Sequence, residues 1–107
     1  MPTSHLFAPV PGDLPEEWVE VLEARASVRI ERIVSRGHSS PPGFWYDQDE
    51  HEWVALLRGE AELELLDPPE RIRLRAGDFL QIPAHRRHRI LWTSRETDCV
   101  WLAVFYR

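Results

Sequence analysis

Residues 77–88 read GDFLQIPAHRRH. Gly77 and Asp78 are turn residues, and DFLQIP is a short strand-like run that Pro83 brings to a stop. After HRRH the chain turns apolar again as HRILWTS. The same rhythm runs outward in both directions. FWYDQ, EWVALLRG, EAELELLD, RIRLRAG and CVWLAVFYR are further short segments with turn signals between them. Such spacing predicts an all-β sandwich or barrel. VRIERIVS, from Val28, opens the series with Val28, Ile30, Arg32 and Val34 on one face.

Upstream of Val28 the pattern differs. Residues 1–12 carry three of the nine prolines and read as an extended arm, with Leu6, Phe7 and Val10 available to pack on a neighbour. In DLPEEWVEVLEAR, Asp13 suits an N-cap, Pro15 the first turn, and Glu16 and Glu17 the positive end of a helix. Leu14, Trp18, Val21 and Leu22 share one helical face, so a short amphipathic helix is expected over 14–24. The expected organisation is an arm and helix over 1–27 and a β-barrel domain over 28–107.

Composition narrows the chemistry. The 107 residues make one domain the default, and the net charge of −5 offers no basic surface for nucleic acid. All 13 basic residues are arginine, which excludes a Schiff-base lysine and the lysine of a phosphate-binding loop. Cys99 is the single cysteine, so no disulfide forms within the chain and a reducing, cytoplasmic setting is expected. No signal peptide or membrane-spanning run is read. The groups able to do chemistry are five histidines and the carboxylates.

The hairpin of residues 60–66 and 71–75 around Asp67-Pro68-Pro69-Glu70 points Ala61, Leu63, Leu65, Ile72 and Leu74 inward. Glu60, Glu62 and Glu64 then face Arg71, Arg73 and Arg75 on the outside, a solvated face in which each pair stabilises by ~0.2–1 kcal/mol. The last strand alternates Val100, Leu102, Val104 and Tyr106 with Trp101, Ala103 and Phe105, so both of its faces are apolar. A strand of that kind is covered on both sides, either by the N-terminal helix or by a second subunit, and a homodimer is the favoured expectation.

These segments resemble a small single-domain cupin of the RmlC-like type. Gly77, Pro83 and His88 match the spacing of the second cupin motif, with His85 where glycine is usual and Trp92 where the motif ends in asparagine. Glu52 followed by Gly59 matches the tail of the first motif. The two histidines that precede the glutamate in that motif correspond here to Trp45 and Asp47 in one register, or to Tyr46 and Gln48 in the other. The resemblance implies a cupin jelly-roll β-barrel whose mouth often holds a divalent metal. It does not choose a reaction, because one fold hosts many.

What the resemblance implies for FWYDQDEHE, residues 44–52, is half of a site. If Asp47 replaces the second histidine, then Asp47, Glu52 and His88 form a ligand set with two carboxylates and one imidazole, for manganese, iron, zinc or nickel. His85, three residues before His88, is the favoured further ligand. His51 would join only from outside the strand, since adjacent strand residues face opposite ways. Trp45, Tyr46 and Trp92 are candidate walls of a ligand pocket. Against this stands a bland reading: Asp47, Asp49 and Glu50 as hairpin residues, HRRH as surface, and a cupin that keeps a pocket without a metal. Three functions follow: a metal-dependent enzyme on a compact polar ligand, a non-catalytic ligand-sensing module, and a metal-free isomerase or epimerase with His88 as base and Tyr46 as acid.

Overall fold

The computed structural model describes residues 1–107 as eight antiparallel strands and no helix. They are β1 (Trp18–Arg25), β2 (Val28–Ser35), β3 (His51–Arg58), β4 (Glu60–Leu65), β5 (Glu70–Arg75), β6 (Phe79–Ile82), β7 (His88–Thr93) and β8 (Cys99–Tyr106). Two sheets face each other, one ordered β1-β2-β8-β3-β6 and the other β5-β4-β7. This is the jelly-roll arrangement expected from the strand rhythm. No helix is long and apolar enough to cross a membrane.

The N-terminal helix is a correction. Residues 18–25 form β1, paired with β2 from Trp18 opposite Val34 to Arg25 opposite Val28, with a bulge between Val21 and Glu23. WVEV satisfies a period of 2 as well as 3.6, and Trp and Val favour strands. The edge of β2 decides between them, because a strand laid along it pairs the backbone groups of both segments.

The core lies between the sheets. Val54 and Leu56 of β3, Ala61, Leu63 and Leu65 of β4, Leu74 of β5, Ile82 of β6, and Trp101, Ala103 and Phe105 of β8 form one buried cluster. Leu56 is wholly inaccessible, and truncating such a side chain typically costs ~2–5 kcal/mol. The β4–β5 register sets Glu60, Glu62 and Glu64 opposite Arg75, Arg73 and Arg71, with Arg73 Nη2 donating to Glu60 Oε2 at 2.8 Å.

Beyond the strands, two segments close the sandwich. Residues 37–46 run along β7: Ser40 N–H donates to the Ile90 carbonyl (2.9 Å), and Tyr46 N–H to the His88 carbonyl (2.8 Å). FWYDQ is therefore a single bridge at Tyr46 rather than a strand. The proline-rich arm lies on the outer face of its own large sheet. Arg32, only 3% exposed there, donates to the carbonyls of Leu6 (3.1 Å) and Ala8 (2.8 Å) and to Glu20 (2.8 Å). The Arg58 guanidinium sits 4.6 Å from the centre of the Phe7 ring.

Gly59 joins β3 to β4 in a single residue with φ +86°, and a Cβ there would lie 2.7 Å from Cys99 Sγ and 3.0 Å from Cys99 Cα. Backbone conformation and space both demand glycine. Gly59→Ala is expected to destabilise the fold by ~2–4 kcal/mol, read as a lowered denaturant midpoint at unchanged slope.

Candidate functional site

At the end of the sandwich where β3 and β7 begin, a cavity of about 210 Å³ opens between the sheets. Its floor is apolar, with Val54, Leu63, Ile82, Trp101 and Phe105, and its polar lining is Glu17, Glu31, Tyr46, Gln48, Glu52 and His88. A broader trough beside Gly59 and Arg95 is open to solvent and gathers no buried titratable group.

Glu52 and His88 are the centre of the cavity. Their side chains are 12% and 8% exposed, and Glu52 Oε1 lies 3.5 Å from His88 Nε2. The other ring nitrogen, Nδ1, is 2.9 Å from the Arg86 carbonyl. A carbonyl only accepts, so Nδ1 carries the proton and Nε2 is left to face Glu52 and the cavity. The Tyr46 ring stacks on His88 at 5.3 Å and 23°. Burial, reinforced by the charges of Glu17 and Glu52, pushes the Tyr46 phenol above its ordinary pKa, so it remains a hydrogen-bond donor.

Two further carboxylates reach the cavity, one from β2 and one from the residue just before β1. Glu31 lies on the inward set of β2 and meets Arg29 Nε at 2.8 Å, while the same guanidinium reaches Glu50 at 3.1 Å. Glu17, just before β1, accepts from the Ser35 hydroxyl, which in turn accepts from Trp101 Nε1–H at 3.1 Å. The helical reading of 14–24 concealed Glu17. Glu31 was legible, because it alternates with the Val28/Ile30/Arg32/Val34 set.

Among the expected residues, Glu52, His88 and Tyr46 come together. Asp47, His85, Trp45 and Trp92 lie elsewhere. The paired bridge between Tyr46 and His88 turns Tyr46 and Gln48 inward, and so turns Trp45 and Asp47 outward. Asp47 Oδ1 pairs with His85 Nδ1 at 2.7 Å on the surface, with Asp49 3.2 Å from the other ring nitrogen. His85 has φ +65°, a left-handed conformation that explains why glycine is usual at this motif position. Trp45 stacks near Arg89 (5.6 Å). A bulge in β7 pairs Glu62 with Trp92 but Leu63 with Ile90, and the extra residue carries Trp92 to the outer face, where Arg73 covers it at 4.5 Å. His51 lies in β3 opposite to Glu52 and accepts from the Ala84 N–H (3.0 Å).

The profile of the family described as "Cupin domain" matches residues 32–105. The chain belongs to the cupin family. A Ralstonia eutropha protein of known structure, provisionally named a mannose-6-phosphate isomerase, is 43% identical over 99% of this chain and 98% of its own, with a TM-score of 0.93. An RmlC-like cupin from Desulfovibrio desulfuricans shares the fold at 18% identity, covering 99% and 96% of the two chains with a TM-score of 0.76. Bacillus subtilis oxalate decarboxylase, whose structure concerns its Mn(II) centres, matches at 18% identity over 75% of this chain and 21% of that one, with a TM-score of 0.63. No curated protein matches the chain.

Cupins often bind transition metals, so the donor set of this cupin is the test. Tyr46 and Gln48 occupy the inward positions that correspond to the two motif histidines. A phenol that holds its proton more tightly than usual is a poor anionic ligand, and an amide oxygen is a weak one for such ions. No three His, Cys, Asp or Glu side chains converge on one point, and Asp47 and His85 are spent on each other outside the cavity. The residues present do not fit a transition-metal centre of the kind the motif implies.

The raised Tyr46 phenol gives a pH prediction. Its stabilising neutral form is fully present below the ordinary tyrosine value of 10.0. As pH rises past that value the unfolded chain ionises first, so stability falls toward the folded pKa. Denaturation measured from pH 8 upward (roughly 8 to 11, bracketing the tyrosine range) should show this loss in the native chain and a smaller one in Tyr46→Phe.

Proposed function

We propose that this cupin binds a compact polar molecule in its barrel cavity and moves a proton on it without a resident metal. The reading is carried by one observation: Glu52 and His88, both buried, face each other at 3.5 Å across the cavity under the Tyr46 ring. A carboxylate facing an imidazole offsets the positive charge that the ring gains when it accepts a proton from a substrate. Acting on a carbon next to a carbonyl, the pair removes the proton through His88 Nε2. Tyr46 donates a hydrogen bond to the carbonyl oxygen, where negative charge develops. Returning the proton to the neighbouring carbon, while that carbon's hydroxyl gives its own proton to the former carbonyl oxygen, makes the reaction an isomerisation; returning it to the original carbon after the planar intermediate has turned over makes it an epimerisation.

The name of the Ralstonia protein raises a sugar phosphate as the substrate. No arginine lines the cavity and the chain has no lysine, so a phosphate would find no cation there. An unphosphorylated hydroxy- or amino-carbonyl compound fits better.

The test is wash-in of solvent deuterium, followed by NMR over a panel of small carbonyl compounds. His88→Gln and Glu52→Gln should each slow exchange by ~10²–10⁴-fold, and excess chelator should leave it unchanged. Loss of exchange in chelator would instead restore a metal-dependent reading. Binding without exchange would make the protein a sensing module.

We also propose a homodimer through the outer face of the large sheet. Phe79, 63% exposed, packs against Trp53 at 5.4 Å, and the half-buried Leu102 and Val104 continue the same apolar surface. Light scattering should give twice the 12.6 kDa chain mass, and Phe79→Asp should bring it to the single-chain value.

A further inference from the structure

The charge of the cavity is one-sided. Glu17, Glu31 and Glu52 line it, and no arginine does. Glu31 is paired with Arg29, which divides its guanidinium between Glu31 (2.8 Å) and Glu50 (3.1 Å). Glu17 has only the Ser35 hydroxyl as donor, and Glu52 accepts no hydrogen bond and has only His88 beside it. The Glu52 side chain, 12% exposed, lines the cavity, where a carboxylate without a donor is poorly solvated. A ligand that brings N–H donors and positive charge supplies that solvation.

The walls suit such a ligand. Tyr46, Trp101 and Phe105 line the same space, and aromatic faces attract cations. Arg29 already stands 4.4 Å from the centre of the Phe105 ring, so one of these rings holds a cation in the folded protein. The volume of about 210 Å³ corresponds to about seven water molecules, at the ~30 Å³ each takes in the liquid.

We propose that the cavity takes a small organic cation, a primary amine or ammonium of about that many non-hydrogen atoms. Its nitrogen sits beside Glu52, in the field of the other two carboxylates that line the cavity, Glu17 and Glu31, and its carbon skeleton lies against Trp101 and Phe105. The proposal rests on the cavity being the functional site, and it names the charge class of the molecule bound there. It also fits the acid–base reading, because a substrate carrying its own positive charge offsets the negative charge that proton removal builds.

The experiment compares three probes of matched length and different charge: n-butylammonium, 1-butanol and butyrate. Each is titrated into the intact protein while the His88 imidazole and Trp101 indole resonances are followed by NMR. Butylammonium is expected to shift both and to bind at least tenfold more tightly than 1-butanol, with butyrate leaving them in place. Glu52→Gln and Glu31→Gln should each weaken butylammonium several-fold while 1-butanol is unchanged, which separates loss of charge from loss of fold. Equal or tighter binding of 1-butanol or butyrate would overturn the cation while keeping the cavity as the ligand site. Displacement of butylammonium by manganese or zinc at stoichiometric concentration would assign the carboxylates to a metal instead. No shift with any probe would overturn both the cation and the cavity reading.

Discussion

The backbone exchange between Tyr46 and His88 is the constraint on which the site depends. Each residue donates its N–H to the carbonyl of the other, at 2.8 and 3.2 Å. The two bonds fasten an irregular loop to the start of β7 and leave no freedom in which side chains of that loop face the barrel. Strand geometry alternates side chains, so fixing Tyr46 inward also fixes Gln48 inward and Asp47 outward. A slip of one residue would have exchanged a phenol and an amide for an indole and a carboxylate. The chemistry of the cavity is thus decided by two main-chain hydrogen bonds, before any side chain makes a contact.

The barrel was legible because its determinants are local. Gly77, Pro83 and His88 sit at fixed spacing, and the alternation of 60–66 against 71–75 places every apolar residue of that hairpin between the sheets. Gly59 reads as a turn for a reason the structure makes concrete, since its hydrogen atom is all the space Cys99 leaves. Glu52 and His88 were legible as an inward pair because each opens a strand with a clear apolar alternation behind it.

What was not legible depends on long-range partners. WVEVLEAR satisfies two periodicities, and only the open edge of β2 selects the strand. Trp92 belongs to the inward set of β7 by counting, yet the bulge opposite Glu62 and Leu63 moves it outward, and nothing in HRILWTS announces an extra residue. The choice between the two registers before Glu52 needed the Tyr46 bridge. The N-terminal arm was expected on a neighbour, but Arg32 draws it onto the chain's own sheet by donating to the carbonyls of Leu6 and Ala8.

Cys99 is the only thiol, has no exposed surface, and is closed in by Gly59 and by the Glu60 carbonyl at 3.1 Å. It begins the central strand β8, which pairs on both sides, whereas β1 at the sheet edge pairs on one. Fraying of β1 therefore exposes the cavity without exposing the sulfur. The molecule carries its own clock: a reagent that reacts with thiols counts openings of the whole sandwich and stays blind to the smaller motions that admit a ligand.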